Sequence, residues 1–383
     1  MIYLDNNATT QATERVVAAM LPYLTECYFN ASASTSALTG ADKPRYEAAT
    51  AMAKLVNAEE PDCFTFTSGA TESNNWVISA CANGLKTGRV VIGTIEHASV
   101  SEPVAELAHL GFEIVEVPVD ADGVIRLESL FDALAQDTVL VSILAANNET
   151  GVIQPIAQIG RLIRDRCPAA FFHSDATQAV GKVDVDLQGD FQEVDLLSFS
   201  AHKFHGPKGI GGVYIRPGID LKPLLLGGGQ EHGLRSGTVN TPALAGLAAA
   251  AKQSADLKKD MICQLRDSFE AELGQMHSNV VIHSTGAPRL PNTSCFSMPG
   301  THGEEIVQHL AGRGIIIGTG SACSSGAIDP SKTLRAMSVS HDTARSAVRV
   351  SFSRLSDHED ASVLLEELRR YKTLSRPCCG PAC

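Results

Sequence analysis

The chain reads as an α/β protein: a mostly parallel, seven-stranded sheet with helices on both faces, joined to a smaller α+β unit. Three observations predict this. Seven short runs rich in β-branched and apolar residues punctuate the first two thirds. Helix-length stretches with apolar residues near helical spacing separate most of them. After Gly237 that alternation stops, and 383 residues is in any case too long for one compact core.

Strands are predicted over 63–68, 89–94, 113–119, 138–146, 170–174, 196–200 and 212–216, with helices over 71–85, 99–110 and 156–166. Strands alternating with helices imply parallel pairing through crossovers, hence a sheet buried on both faces. Ligands of such sheets gather at the carboxyl ends of the strands. The stretch 241–276, Ala-rich and then charged, predicts one or two helices linking the lobes. A second unit follows, with strands at 280–283, 295–297 and 314–317 and helices at 303–312, 330–336 and 357–372, completed by the N-terminal segment. The expected division is a large domain over 16–255 and a small domain formed by 1–15 and 256–383. No internal repeat or low-complexity tract is visible.

Composition narrows the function. A net charge of −12 argues against nucleic acid or an anionic membrane surface as partner. No apolar run approaches the roughly 18 residues of a membrane span, and Met1-Ile2-Tyr3-Leu4-Asp5 is no signal peptide, so a cytoplasmic location is expected. The ten cysteines are scattered rather than paired, as in a reduced cytoplasm. Cys63, Cys81, Cys167, Cys263 and Cys295 lie in apolar contexts and read as small core residues.

The chemistry-bearing residues cluster where the predicted strands end. Lys203, in Ser200-Ala201-His202-Lys203, follows one strand, and Asp175 ends another. An aldehyde cofactor with a basic ring nitrogen requires that pair: the amine condenses with the aldehyde, and the carboxylate keeps the ring nitrogen protonated, which is pyridoxal phosphate chemistry. The bland alternative is a loop lysine. Thr67-Ser68-Gly69-Ala70-Thr71-Glu72-Ser73 suits either a phosphate cradle at a helix N-terminus or a plain capping box. His97 is placed to stack on an aromatic ring and exchange protons, or simply to cap a helix. Asn148 and Gln178 suit a phenolate oxygen or a turn. Cys323, among the small residues 318–326, is a candidate thiolate nucleophile, its alternative being an incidental loop thiol. Cys378, Cys379 and Cys383 in the tail suit metal or sulfur relay, but no fourth ligand stands beside them, and a terminus with dispensable thiols is the plainer reading; no metal site is expected.

Together these motifs resemble the cysteine desulfurases, the NifS/IscS-like branch of the class V aminotransferases. The resemblance runs from Tyr3-Leu4-Asp5-Asn6-Asn7-Ala8-Thr9-Thr10 to Arg354 and rests on motifs in the family's order: 67–73, 147–151, Asp175 with Gln178, 200–203, Arg235-Ser236-Gly237-Thr238 and Gly320-Ser321-Ala322-Cys323. It implies the fold type I architecture of pyridoxal phosphate enzymes, with Lys203 as the Schiff-base lysine and Asp175 on the pyridinium nitrogen. It places His97 over the ring and Gln178 and Asn148 near the ring oxygen and substrate. Ala70, Thr71, Ser200 and His202 hold the phosphate, with Thr238 supplied by a neighbouring subunit. Arg349 clamps the substrate carboxylate and Cys323 takes up the sulfur. The implied reaction turns L-cysteine into L-alanine and an enzyme persulfide, passed to an acceptor protein for iron–sulfur clusters or another thio-product, in a homodimer. Selenocysteine, or another β-substituted alanine, is the alternative substrate. A non-catalytic sulfur or metal carrier acting through Cys323 is the alternative from another class. The chain departs from the family's Gly-Asn-Pro-Ser-Ser-x-His segment, which reads Phe29-Asn30-Ala31-Ser32-Ala33-Ser34 and lacks the histidine; His232 stands where arginine is common, and the tail is short.

Overall fold

The structure is a computed structural model that describes residues 1–276, 278–319 and 330–374. A short strand β1 (Ile2–Tyr3) precedes the central sheet, formed by β2 (Phe64–Thr67), β3 (Arg89–Gly93), β4 (Glu113–Val117), β5 (Thr138–Ser142), β6 (Phe171–Asp175), β7 (Leu196–Ser200) and β8 (Gly211–Ile215). Their order is β2-β8-β7-β6-β5-β3-β4. The pairs β3–β4, β3–β5, β5–β6 and β6–β7 are parallel, while β8 runs antiparallel to both neighbours. Because β8 reverses, β2 points the same way as β7, and the carboxyl ends of β2, β3, β5, β6 and β7 all meet at one edge. That edge is where ligands of an open α/β sheet bind.

The period-2 alternation of the strands sorts their side chains between two cores. On one face Val91, Val141, Phe172, Leu197 and Phe199 pack with helices Lys43–Leu55, Ile156–Arg166 and Thr241–Ser254. On the other, Val90, Ile92, Leu140, Leu196 and Val213 pack with helices Ala70–Ala82 and Ala98–His109. Burying one such aromatic or branched side chain stabilises by roughly 1.5–3 kcal/mol. Helix Ile156–Arg166 shows how its face is chosen: Ile156, Ile159 and Ile163 are buried, and Arg164 and Arg166 sit in its last turn, complementing the helix dipole.

Beyond helix Thr241–Ser254 comes helix Lys259–Met276, so the predicted 241–276 segment is two helices. The strands β9 (Val281–Ile282), β10 (Thr293–Ser297), β11 (Ile315–Ile316), β12 (Gly318–Thr319) and β13 (Ala347–Ser351) follow. A four-stranded sheet has the order β12-β13-β10-β9, antiparallel throughout. Its core gathers Phe269, Phe296, Ile306, Val350, Phe352 and Leu364, together with Leu4 from the N-terminal segment. Strand β1 pairs parallel with β11, and Asp5 bridges to Ser351 of β13. Cys63, Cys81, Cys167 and Cys295 are buried, but Cys263 is only half-buried, beside Arg266 and Asp267, which corrects its reading as a core residue. Among the described residues no helix is long and apolar enough to cross a membrane.

Candidate active site

Ala70, Thr71, His97, Asn148, Asp175, Gln178, Ser200, His202, Lys203 and Arg349 all line one cavity of about 560 Å³. Thr238 does not; it lines an adjoining cavity of about 260 Å³ that shares Ser68 and Gly209 with the first. Cys323 lies outside the described residues, as do the terminal cysteines.

The phosphate end comes from the β2–helix junction. Gly69 adopts φ +154°, ψ 177°, a region essentially reserved for glycine, and leads directly into helix Ala70–Ala82. The helix N-terminus therefore opens into the cavity with its N–H groups and positive dipole end. Glu72 folds back to accept from the Ser68 N–H (2.9 Å) and pairs with Arg235 (2.9 Å), which fixes the turn. His202 contacts the Thr9 hydroxyl through Nδ1 (3.0 Å). Burial first, then the cations Lys203 and Lys208, push its pKa down to about 4, so the ring is neutral at pH 7.

The ring end centres on Asp175, which is 6% exposed. One oxygen accepts from the Asn74 amide (2.8 Å) and the other from the Thr177 N–H (2.9 Å), so the carboxylate is aimed before anything binds. The second hydrogen of the Asn74 amide goes to the Ser99 hydroxyl (2.8 Å), which stands 2.8 Å from His97 Nδ1. The Ser99 N–H also donates to Nδ1 (3.1 Å). Nδ1 is thus an acceptor, which leaves Nε2 as the nitrogen that carries the ring proton. His97 is at once the N-cap of helix Ala98–His109 and a wall of the cavity, so the two readings of its sequence context hold together.

Lys203 ends a short 3₁₀ turn after β7, and its Nζ donates to the carbonyls of Asn7 (2.7 Å) and Ala8 (2.8 Å). The N-terminal segment is therefore part of the site. Asn7, 1% exposed, is fully engaged: its carbonyl takes Lys203 and Gln178 Nε2, its side-chain oxygen takes Lys182 and Asn292, and its amide donates to Thr293 and Asn148. Arg349, on β13 and 1% exposed, donates to the Asn148 carbonyl (2.9 Å) and Asp5 (2.6 Å) and presents its guanidinium to the same cavity.

Sequence reasoning missed Asn7, Asn74, Lys182 and Glu149. The Glu149 carboxylate, held above the usual range by burial, accepts from the Ser331 and Thr333 hydroxyls and so ties the loop after β5 to the segment beyond residue 330. The available signal was thin: a lone lysine between glycine and valine at 181–183, and an asparagine on the buried side of a helix. The core thiols are inert by contrast, with burial pushing Cys295 up to about 12.

These residues fit a phosphorylated pyridine aldehyde. A helix N-terminus and a neutral His202 sit at one end, a buried and pre-aimed carboxylate at the other, with an amine between them. The buried Thr177 hydroxyl, which lines the cavity, has no hydrogen-bond partner among the described residues. A family model described as Aminotransferase class-V matches residues 2–364. Cysteine desulfurase IscS from Clostridium botulinum is 37% identical over 376 residues, covering 96% of this chain and 93% of its own. A solved NifS-like protein superposes with a TM-score of 0.90 at 35% identity, covering 97% of this chain and 99% of that one. SspA, solved in complex with cysteine, does so at 0.82 and 31%, covering 92% and 99%. The chain belongs to the class V aminotransferase family, and within it to the pyridoxal-phosphate-dependent cysteine desulfurases.

Proposed function

We propose that the chain binds L-cysteine over Lys203, releases L-alanine and keeps the substrate sulfur as a persulfide on Cys323. The observation that carries this reading is the single cavity shared by Lys203, Asp175, His97, Gln178 and Arg349. Pyridoxal phosphate, held by Lys203, Asp175 and the 68–71 turn with Ser200 and His202, supplies an electron-accepting ring. Arg349 binds the substrate carboxylate, its planar fork matching the two oxygens. The Lys203 amine moves the α-proton, and the Nε2–H of His97 moves a second proton. The Cys323 thiolate attacks the substrate sulfur; the carbon–sulfur bond breaks as the sulfur–sulfur bond forms, and the β-carbon takes a proton to leave as alanine.

The sulfur then passes to an acceptor protein, for iron–sulfur clusters or another thio-product, in the cytoplasm. The active form is a homodimer, with Thr238 of the partner subunit contacting the phosphate, a reading supported by Thr238 not lining the site cavity of its own chain. The chain divides into a large domain over 16–255 and a small domain formed by 1–15 and 256–383. Labelled L-cysteine tests the whole reading: alanine and a persulfide on Cys323 are expected, and borohydride should trap a pyridoxyl adduct on Lys203. Full turnover by Cys323→Ser without added thiol would overturn it.

A further inference from the structure

Lys182 takes no part in the steps above, yet it is fully buried against the site. It ends a turn that begins at Asp175, and Gly181 before it makes the approach possible. At φ +77°, a side chain on Gly181 would be strained, and its Cβ would stand 2.6 Å from the Phe204 Cβ, next to Lys203. The backbone thus delivers an ammonium-bearing residue beneath the reacting lysine.

The contacts of Lys182 are specific. Its Nζ lies 2.5 Å from Gln178 Oε1 and 2.8 Å from Asn7 Oδ1. The identity of the Asn7 oxygen is fixed independently, because it also accepts from Asn292 (3.0 Å) while the Asn7 amide donates elsewhere. A lysine head group donates to both oxygens, so Gln178 must turn its carbonyl inward and its amide outward. The Gln178 amide spends one hydrogen on the Asn7 carbonyl (2.9 Å), and its second remains for whatever occupies the cavity that Gln178 lines. Without Lys182 only the Asn7 carbonyl distinguishes the two ends of the amide. A flipped Gln178 would present oxygen to oxygen at the ring edge.

We propose that Lys182 is a positioning residue for the desulfurase reaction, fixing the Gln178 amide as a donor toward an anionic ring oxygen of the cofactor and placing a cation beside Lys203. The proposal rests on the reading of the cavity as the pyridoxal phosphate site. The charged and titratable groups facing Lys182 are Lys203, Arg349, His202 and His205. Burial first, then Lys203 and Arg349, hold the Lys182 amine well below the usual lysine value, a cost that two neutral amide oxygens do not cancel.

Lys182→Met removes donor and charge at similar volume, and Lys182→Arg keeps both. The measurement is a pH titration of the visible absorption band of each purified holoenzyme without substrate, beside kcat and KM for L-cysteine. A cation and a donor beside the ring both favour the form with fewer protons. Lys182→Met should therefore move the titration midpoint up by about one unit. It should also lower kcat about tenfold with KM changed less, because Arg349 still holds the carboxylate. Lys182→Arg should stay near wild type in midpoint. An unshifted midpoint in Lys182→Met overturns the proposal. An equal shift in Lys182→Arg also overturns it, since packing rather than charge would then be the cause. If Lys182→Met does not fold, Lys182→Leu, which also removes both donor and charge, carries the same test. Failure of the underlying reading looks different: wild type would then give no pyridoxyl adduct at Lys203.

Discussion

Gly211 is the position where a single added methyl group should reach the chemistry through the backbone. It begins β8 and pairs with Ser200 of β7 and Thr67 of β2. A Cβ there would stand 2.4 Å from the Phe199 carbonyl oxygen and 2.7 Å from the Gly69 Cα. Both neighbours are main chain, so no flexible side chain can swing aside; either β7 or the 68–71 turn must give way. Overpacking of this kind costs about 1–3 kcal/mol. Displacing a binding turn by up to an ångström weakens what it holds by about ten- to a hundredfold. Gly211→Ala is therefore expected to lose pyridoxal phosphate affinity by about ten- to a hundredfold on top of that loss of stability. Trp76, the chain's single tryptophan, is buried on the helix that begins at this turn and offers an intrinsic fluorescence readout of titration into apo-protein. Gly218→Ala is the control: at φ +91° with nothing within 4 Å of its Cβ, it costs about 1–2 kcal/mol in backbone strain without pushing on Gly69 or lining the cavity. Wild-type affinity in Gly211→Ala, or an equal loss in Gly218→Ala, refutes the reasoning.

Asn7→Ala should destabilise the apo-protein by about 2–3 kcal/mol, because the buried Lys182 loses one of its two acceptors and Thr293 a donor; an unchanged urea midpoint would contradict this. Arg349→Lys replaces a fork by a point charge and should lower kcat/KM for L-cysteine about ten- to a hundredfold, mainly through KM. Steady-state kinetics with an unaltered KM would remove Arg349 from the carboxylate site. Burial pushes His283 down to about 4, against 6.5 in the unfolded chain. Between those values the unfolded state binds more protons, so stability is lost as pH falls from about 6.5 toward 4. His283→Gln keeps a partner for Ser297 and should flatten that slope, a comparison made by denaturation at pH 7 and pH 5.

Most strands were legible because they are short apolar, β-rich runs buried on both faces, and a run like Leu196–Ser200 has few other places to go, whereas the edge strand β4 is only partly buried. The antiparallel course of β8 was not legible, since periodicity carries no direction. Lys203, Asp175 and His97 stood out because their chemistry is local to strand ends. Asn7, Asn74 and Lys182 did not. Each acts through partners such as Lys203, Ser99 and Gln178 brought in by the tertiary fold, and an amide or a lysine in isolation reads as a turn or a solvated surface residue. His97 illustrates the remaining ambiguity: capping and site-lining are rival readings of its sequence context, yet one ring does both.

The clamp of the N-terminal segment on Lys203 has a consequence in time. Asn6 donates to the Ser351 carbonyl across 345 positions of sequence. At roughly 5–20 residues per second, a ribosome separates those two ends of one hydrogen bond by tens of seconds. Late in that interval, once β8 has been made, Lys203 can already stand at the edge of a nearly finished sheet while the strand that anchors residues 4–8 is still unmade. Loading of the cofactor and locking of the lysine are thus separable events during biosynthesis.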